Sequence, residues 1–485
     1  MASRRQAALG TIWGVVERAA TQGVSFIVVV VLARFLGPQT FGLVSLAATI
    51  ALLGQTLIGE TFSQALIQTQ TLESDHIGAI FWMLVMAGLA SAGLLAAFSS
   101  LIATFFALPP LAPILAVLSP LLIMTALQAV PMALFKRELD FRSLAVASAS
   151  GTIAGGIIGI AMAVRGYGPW SLVANLLVQN AVVTATIWRR SKFRVLWRFS
   201  FPHFKELWSF GQYTFLLRIA AFTANQGPRI LVGYLFGPAA LGAFSLGLRI
   251  VEMIMQLLAL PVSNVTTPLV AKIRHDTSRL ERAVASATQL TAMITVPLFL
   301  LLGLTAPVAV PLLFGAHWTQ SVVIVQALAL AYMFGATGMV YQGVLNGLGR
   351  PDLNLAMTTG AAVTSVTLLV LTAPFGIVAA IGAYVVRGLF TAPIVVSVIA
   401  RITGMRLGYL YRVYIPVLAA LVPMIVVVEI ILHWVGPYLA PSGLLALAIA
   451  AGVSSYAVGL AIFGQPALKL GVAMLADLRP SQRPV

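Results

Sequence analysis

The chain contains no cysteine and few charged residues among its 485 positions. Without cysteine it can form no disulfide bond, bind no metal through thiolate and carry out no thiol redox chemistry. Charged residues make up 9% of the sequence, whereas ordinary soluble domains contain about a quarter. Because 60% of the residues are hydrophobic, the composition predicts a polytopic membrane protein.

Sequence signatures of catalysis are also missing. None of the lysines follows a glycine, which excludes a Walker A loop and ATP hydrolysis within this chain. No Ser/His/Asp or paired-carboxylate constellation is recognisable. The histidines lie far apart, without metal-ligand spacing, at His76, His203, His275, His317 and His433. We therefore expect a protein that is not an enzyme, binds no metal or other cofactor, and is driven by an ion or substrate gradient.

Acidic residues are scarce relative to basic ones. The chain has 13 aspartates and glutamates against 29 lysines and arginines, which gives a net charge of +16. All the aspartates fall outside the apolar runs, and the basic residues are scattered mainly through short connections. This distribution predicts contact with phospholipid headgroups rather than with nucleic acid.

Long apolar runs fill the rest of the sequence, and a membrane span needs about 20 mainly apolar residues. The runs that we number as spans 1 to 14 are Thr11–Phe35, Phe41–Gln64, Ile77–Phe98, Leu111–Phe135, Ser143–Val164, Trp170–Trp188, Leu207–Leu235, Leu241–Val265, Ala283–Leu304, Val322–Leu345, Leu353–Ala373, Ile377–Ala400, Leu410–Leu432 and Leu444–Phe463. No interval between them is large enough for a soluble domain. The sequence predicts an all-α polytopic membrane protein with about 14 transmembrane helices.

Lysines and arginines in the connections predict the orientation. If the N-terminus is cytoplasmic, 22 of the 29 basic residues lie on the cytoplasmic side and four lie inside spans. The outer side then holds only Arg34, Arg165 and Arg229. We expect both termini to be cytoplasmic and the first run to be an uncleaved span.

One string of residues occurs twice, 200 positions apart. Gly37-Pro38, Gly42 and Ser45-Leu46 recur as Gly237-Pro238, Gly242 and Ser245-Leu246, each time at the turn between two spans. Arg18 and Arg218, inside the preceding spans, are also 200 positions apart. Such duplication is typical of two-lobed transporters. We predict a turn or hinge at each Gly-Pro pair.

The repeat divides the chain into two lobes of six spans. The predicted organisation is an N-lobe at 1–188, a basic linker at 189–206, a C-lobe at 207–400, and a segment at 401–485 with spans 13 and 14 and a cytoplasmic tail. In the linker, basic residues alternate with aromatic ones. That pattern predicts a segment on the inner leaflet, with rings at headgroup level and cations on anionic lipid.

Ionisable residues inside the spans are the candidate binding residues, because burying a charge in the bilayer centre costs roughly 2.5–3.5 kcal/mol. They are Arg18, Arg218, Arg249, Arg387, Glu17, Glu60, Glu252 and Glu429. Arg249 and Glu252 are three residues apart, so they can form a neutral pair that holds the packing or take part in binding. Guanidinium groups bind phosphate oxygens in bidentate fashion. We therefore expect an anionic, phosphate-bearing substrate at Arg18, Arg218 and Arg387, and keep Arg249 and Glu252 as further binding candidates.

Four strings together resemble the Wzx-type polysaccharide flippases of the MOP superfamily, which also contains lipid II flippases and MATE exporters. They are Leu36-Gly37-Pro38-x-x-Phe41-Gly42-Leu43-x-Ser45-Leu46, Pro131-x-Ala133-Leu134-x-x-Arg137-x-Leu139-x-Phe141-Arg142, Gly166-Tyr167-Gly168-x-Trp170-x-Leu172 and Leu345-x-Gly347-Leu348-Gly349-Arg350. The resemblance implies two lobes around a cavity that opens alternately to either side of a bacterial inner membrane. It also implies an undecaprenyl-pyrophosphate-linked oligosaccharide as substrate, with Arg18 and Arg218 at the pyrophosphate. A polymerase and chain-length or export proteins are the implied partners.

Three alternatives stay open. A drug or cation exporter of the same superfamily would be expected to have an acidic pocket, and no aspartate lies within a span. A membrane-bound polysaccharide polymerase would be expected to have a large external loop with catalytic residues. The longest external segments, around Phe98–Leu111 and Thr305–Ser321, hold no charge apart from His317 if it is protonated. A structural scaffold would leave the arginines inside the spans without a purpose.

Overall fold

A computed structural model describes residues 21–61, 74–138, 140–191, 193 and 201–463 of the chain. Within these ranges every regular element is a helix. In the described part of the chain, twelve helices are long and apolar enough to cross a membrane. One of them, Ala221–Leu258, contains two crossings because the backbone breaks at Gly237, and the apolar helix Thr21–Phe35 is the described part of span 1. The prediction of an all-α, multi-pass membrane protein with about 14 transmembrane helices is confirmed.

The span numbers carry over to the helices. Spans 2 and 3 are Pro38–Thr61 and Ser74–Ala97, followed by a short helix at Ser99–Phe105. Span 4 joins Leu111–Leu118 to Pro120–Arg137, and spans 5 and 6 are Phe141–Val164 and Pro169–Arg190. Spans 7 and 8 are the parts of Phe201–Ile273 before and after Gly237, and span 9 is Thr277–Phe314. The remaining helices are Ser321–Met333 with Gly335–Gly347 (span 10), Pro351–Thr372 (span 11), Ile377–Thr403 (span 12), Leu407–Arg412, Ile415–Ile430 (span 13) and Pro441–Phe463 (span 14).

Two aspartates fix the starts of spans 5 and 9. The Asp140 carboxylate accepts hydrogen bonds from the backbone N–H of Ser143 at 3.1 Å and from the Ser143 hydroxyl at 2.7 Å. These bonds lower the pKa of Asp140 below its ordinary value, because they favour the ionised carboxylate. Asp276 caps span 9 in the same way, accepting from the backbone N–H of Arg279 at 3.0 Å. Each aspartate supplies an acceptor for the unpaired N–H groups of a first turn.

Glycines let spans 5 and 6 approach closely. Gly151, Gly155 and Gly159 lie four residues apart on one face of span 5, and a Cβ atom on Gly155 would come 2.6 Å from the carbonyl oxygen of Asn175. Small residues at this spacing allow two membrane helices to pack backbone against backbone. Spans 5 and 6 are therefore joined by a tight contact between their backbones.

The last two spans pack against span 9. The Tyr456 hydroxyl of span 14 donates a hydrogen bond to the Met293 carbonyl of span 9 at 2.9 Å. Gly452 faces Leu301 of span 9 and Val428 of span 13. Spans 9, 13 and 14 therefore share one apolar core.

The chain forms two compact units, Met1–Ser245 and Leu246–Val485. Span 7 and the start of span 8 thus group with the first unit, whereas the repeat predicts a boundary at the linker 189–206. The predicted division into lobes at 1–188 and 207–400 stays a prediction.

The segments expected to form external loops are largely helical. Ser99–Phe105 is a helix, and span 9 continues to Phe314 in spite of Pro307 and Pro311. Proline is tolerated inside membrane helices, because neighbouring helices and side chains satisfy the backbone groups that it leaves unpaired. The loop expected at Thr305–Ser321 is therefore wrong over most of its length.

Phe193, near the start of the linker, packs against aromatic residues of spans 3 and 6. The Phe193 ring lies 5.5 Å from the Phe81 ring and 6.0 Å from the Trp188 ring. Span 7 begins at Phe201, so the last residues of the predicted linker are helical. Lys192 and residues 194–200 lie outside the described residues, and the placement of the linker on the inner leaflet stays a prediction.

Candidate functional site

The two Gly-Pro pairs lie where one span ends and the next begins. Span 1 ends at Phe35 and span 2 begins at Pro38, so Gly37 lies between two helices. Gly237 interrupts the helix between spans 7 and 8 with a φ of 79°, a conformation that side chains with a Cβ atom rarely adopt. Gly37 is not among the residues with positive φ. The assignment of the two Gly-Pro pairs as a turn or hinge stays a prediction.

The two copies of the repeated string contact each other inside the first unit. A Cβ atom on Gly42 would collide with the Pro238 carbonyl oxygen, and one on Gly242 would collide with the Pro38 carbonyl oxygen. A Cβ atom on Gly42 would also lie 2.6 Å from the backbone nitrogen of Gly242. The contact is reciprocal, as expected for two equivalent segments that meet across a local two-fold axis. Only glycine leaves room for backbones at this distance.

Of the two arginines at equivalent positions in the repeat, the structure describes one. Arg18, like Glu17, lies outside the described residues, and its role stays a prediction. Arg218 is half-buried on span 7. Arg229, expected at the outer end of that span, lies inside the helix, eight residues before Gly237. Its Nη1 donates a hydrogen bond to Oε1 of Gln226 at 2.9 Å.

A polar cluster lies inside the second unit, formed by Glu252, Tyr332, Tyr384 and Arg387. The Arg387 guanidinium carbon lies 4.7 Å from the centre of the Tyr384 ring, a cation–π distance. The Tyr384 and Tyr332 hydroxyls are 3.2 Å apart. The charges of Glu252 and Arg387 both act on the Tyr332 hydroxyl. Tyr332 of span 10 therefore meets Tyr384 of span 12, which also contacts Arg387, and Glu252 of span 8 lies near enough for its charge to act on Tyr332.

Arg387 also connects span 12 to span 11. Its Nη1 donates a hydrogen bond to the Ala361 carbonyl oxygen at 3.1 Å, and the Ser365 hydroxyl donates to the same oxygen at 2.9 Å. The Arg387 Nε is buried and has no hydrogen-bond acceptor in the part of the chain that the structure describes. A buried donor without an acceptor costs about 1–3 kcal/mol. An anionic oxygen placed at this Nε would satisfy it.

Arg249 and Glu252 differ in their surroundings. Arg249 is exposed, whereas Glu252 is half-buried and belongs to the polar cluster. The surroundings of Glu252 therefore extend beyond its own helix. Arg249 and Glu252 were expected either to form a neutral pair that holds the packing or to take part in binding, and both roles stay predictions.

The sequence did not single out Tyr332 and Tyr384. Tyr384 could have been found, because it precedes Arg387 by three residues and so lies on the same helical face. Tyr332 comes from another span, and only the packing of the helices brings it to the cluster. Glu429, at the end of span 13, is remote in sequence and contacts His433, whose Nδ1 lies 3.1 Å from its Oε2. Among the described residues no three metal-ligating side chains come together.

The match to a known family agrees with this fold. A family model described as polysaccharide biosynthesis protein matches residues 31–323, more than half of the chain. The chain belongs to this family. The succinoglycan biosynthesis transport protein ExoT of Rhizobium meliloti (strain 1021) is 28% identical over 338 residues, which cover 70% of this chain and 68% of that protein. The lipopolysaccharide biosynthesis protein WzxC of Escherichia coli (strain K12) is 23% identical over 358 residues, 73% of this chain and 72% of that protein.

Solved structures of the MOP superfamily share the fold. The lipid II flippase MurJ in an inward closed conformation gives a TM-score of 0.76 at 15% identity, covering 95% of this chain and 99% of that chain. An inward-facing multidrug resistance MATE transporter gives a TM-score of 0.58 at 15% identity, covering 82% of this chain and 99% of that chain. The resemblance to Wzx-type flippases of this superfamily is confirmed.

Proposed function

We propose that the protein is a flippase for undecaprenyl-pyrophosphate-linked oligosaccharide repeat units. It would move them across a bacterial inner membrane for the synthesis of exopolysaccharide, capsule or O-antigen. The observation that carries the proposal is the presence of arginines inside the membrane spans of a chain that belongs to a polysaccharide biosynthesis family. Arg387 supports it most directly, because its buried Nε has no acceptor among the described residues. A pyrophosphate supplies several anionic oxygens, which are strong acceptors for guanidinium donors.

The substrate has three parts with different requirements. The pyrophosphate is charged and would bind arginines, with Arg18 and Arg218 at equivalent positions of the repeat and Arg387 in the second unit. Arg249 and Glu252 would adjust the charge around it. The sugars need water or polar groups, whereas the prenyl chain can stay in the bilayer. Alternating access about the ends marked by Gly37-Pro38 and Gly237-Pro238 would carry the polar parts across.

The setting of the protein belongs to the same proposal. We place it in the inner membrane with both termini in the cytoplasm, on the basis of the uneven distribution of lysine and arginine. In that setting the repeat unit is delivered from the cytoplasmic side. A polymerase and chain-length or export proteins would use it on the outer side.

The test is complementation with variants at matched expression. Arg218→Ala and Arg387→Ala should each lower polymer export and cause lipid-linked oligosaccharide to accumulate on the inner face of the membrane. Arg350→Ala is the control, because Arg350 is exposed in a connection and forms an ion pair with Asp352 at 3.0 Å. Export by both span variants at the level of the control would contradict the assignment of the arginines.

A drug or cation exporter is the second candidate, favoured by the likeness to the MATE structure. It would require binding groups for cations. The polar cluster contains one carboxylate, that of Glu252, and one cation, that of Arg387. If cells that express the protein gain drug resistance, and Glu252→Gln abolishes that resistance while polymer export is unchanged, this candidate replaces the first.

A further inference from the structure

Within the described part of the chain, the guanidinium group of Arg387 donates hydrogen bonds through one nitrogen, Nη1. This nitrogen donates to the Ala361 carbonyl oxygen of span 11 at 3.1 Å, and the Ser365 hydroxyl donates to the same oxygen at 2.9 Å. The other edge of the planar group is formed by Nε and Nη2. Nε is buried without an acceptor, and Nη2 donates to none of the described residues. The bond to Ala361 therefore leaves the Nε–Nη2 edge unfilled.

The unfilled edge of Arg387 has the geometry that phosphate groups bind. Two parallel N–H bonds can donate to two oxygens of one phosphate, and such bidentate pairs are stronger than hydrogen bonds between neutral groups. No hydrogen bond to a described residue has to break when a phosphate binds at this edge. A lysine cannot replace the arrangement, because its ammonium group is a point charge without a planar edge.

Tyr384 holds the guanidinium group in this position. It precedes Arg387 by three residues on span 12, so the two side chains lie on the same face of the helix. The guanidinium carbon lies 4.7 Å from the centre of the Tyr384 ring, within the range of cation–π contacts. The ring attracts the cation without supplying a carboxylate or a carbonyl acceptor. The contact therefore restricts the guanidinium group and leaves its N–H donors available to a phosphate.

Span 10 fixes the Tyr384 ring in turn. The Tyr332 and Tyr384 hydroxyls are 3.2 Å apart, and the two rings are stacked with their centres 6.4 Å apart. The backbones approach closely at the same level, since a Cβ atom on Gly388 would lie 3.2 Å from the Ala331 carbonyl oxygen. Gly388 directly follows Arg387 in the sequence, and Ala331 directly precedes the tyrosine of span 10. The packing of spans 10 and 12 therefore sets the position of the ring.

We propose that Arg387 binds one phosphate of the substrate's diphosphate side-on through Nε and Nη2, and that Tyr384 is the residue that positions it. This inference rests on the proposed flippase function. Tyr384 acts through Arg387 and not on the diphosphate itself. Loss of the Tyr384 ring should therefore lower the affinity for a diphosphate only in a protein that retains Arg387.

The test measures binding of farnesyl diphosphate to the full-length protein in lipid nanodiscs. The single variants are Tyr384→Leu, Tyr384→Phe, Arg387→Lys and Arg387→Gln, and one double variant combines Arg387→Gln with Tyr384→Leu. Tyr438→Leu is the control, because Tyr438 is 86% exposed in the connection between spans 13 and 14. Affinity is expressed per folded molecule, and the melting temperature of each variant is recorded.

We expect Tyr384→Leu to weaken binding about tenfold relative to the control, because the guanidinium group is no longer held. Tyr384→Phe keeps the ring and should bind within about twofold of the control. Arg387→Lys keeps the charge but lacks the edge, so binding should fall about tenfold. Adding Tyr384→Leu to Arg387→Gln should have no further effect on affinity, because two residues that act as a unit are not additive.

The contrary outcomes are distinct. If Tyr384→Leu binds as tightly as the control while Arg387→Gln is impaired, Tyr384 does not position Arg387, and the flippase proposal stands. If Tyr384→Leu lowers the affinity equally with and without Arg387, the tyrosine acts independently and the inference fails. If Arg387→Lys binds as tightly as the control, charge alone suffices and side-on binding is wrong. If the wild type neither binds farnesyl diphosphate nor moves a fluorescent prenyl-diphosphate disaccharide between leaflets, the proposed function itself fails.

Discussion

The polar groups inside spans 2 to 6 differ in kind from those inside the second unit. Apart from Glu60 near the end of span 2 and the ionisable residues at the helix ends, those of spans 2 to 6 are neutral. They bind each other across helices: Gln128 Nε2 donates to the Thr184 hydroxyl at 2.7 Å, and Gln55 Nε2 donates to the Thr125 hydroxyl at 3.2 Å. In the second unit Glu252 and Arg387 bring charges into the spans, and the Arg387 Nε has no acceptor among the described residues.

The difference separates packing from binding. A hydrogen bond between two neutral side chains of different helices typically stabilises the folded state by about 1 kcal/mol. A charge in the same environment is costly unless a partner or ligand compensates it. We therefore expect substitutions in the neutral region to alter stability and substitutions in the polar cluster to alter transport.

The largest effect is expected at the contact between the repeated strings. Gly42→Leu places a side chain where the Pro238 carbonyl lies, so the two backbones must separate. Overpacking a tight contact typically costs about 1–3 kcal/mol, and a backbone on the other side makes relaxation difficult. We expect a large loss of thermal stability and of transport. Gly93→Leu is the control, since nothing lies within 4 Å of a Cβ atom there, and equal melting temperatures for both variants would refute the contact.

The next effect is expected at Arg387. Arg387→Gln removes the charge but can still donate a hydrogen bond to the Ala361 carbonyl. Transport should fall about tenfold or more, because a charged hydrogen bond contributes about 1.5–3 kcal/mol, while the melting temperature changes little. If Arg387→Gln retains transport but loses stability, Arg387 serves in helix packing. The polar groups of spans 2 to 6 and those of the second unit would then not differ in function.

A smaller effect, on stability alone, is expected at Gln128. This residue is 7% exposed, and its amide also donates to the carbonyl oxygen of Asn180 at 3.2 Å. Gln128→Leu removes both bonds and leaves Thr184 without a donor, so unfolding should become easier by about 1–2 kcal/mol. Transport per folded molecule should be unchanged. A transport defect in the stably folded variant would show that the neutral region contacts substrate.

The smallest effect is expected outside the membrane, at Asp140. Asp140→Ala removes the cap of span 5, which typically costs about 1 kcal/mol. The pKa of Asp140 is lower in the folded state than its ordinary value of 3.8. The ionised carboxylate therefore stabilises the folded state at pH values above 3.8, and this stabilisation is lost as the pH falls through the lowered pKa. The stability difference between the wild type and Asp140→Ala, measured by thermal unfolding, should therefore shrink in acid. A pH-independent difference would contradict the role of the ionised carboxylate.

The spans and their ends at the repeated Gly-Pro pairs could be predicted from the sequence. Apolar length predicts a span wherever it occurs. A Gly-Pro pair alone does not predict the end of a helix, because Gly227-Pro228 lies inside the helix of span 7; the longer repeated string distinguishes Gly37-Pro38 and Gly237-Pro238 from it. The course of span 9 was harder to predict, since Pro307 and Pro311 are helix breakers in water and are tolerated in a membrane helix.

The cluster could be predicted only in part. The cost of placing a charge in the membrane singles out Arg387 and Glu252 from sequence alone. Tyr332 comes from a third span, and its distance from Tyr384 depends on how the helices pack. The contact between Gly42 and Gly242 is similar: the repeat makes the two glycines equivalent, but equivalence does not imply that they touch.

The central claim is that arginines inside the spans carry a diphosphate-linked sugar across the membrane. It is tested most directly by reconstituting the protein in proteoliposomes and measuring how fast a fluorescent prenyl-diphosphate oligosaccharide changes leaflet. We expect the wild type to move the probe, and both Arg218→Gln and Arg387→Gln to move it at least tenfold more slowly at unchanged melting temperature. Equal rates for the wild type and both variants would contradict it.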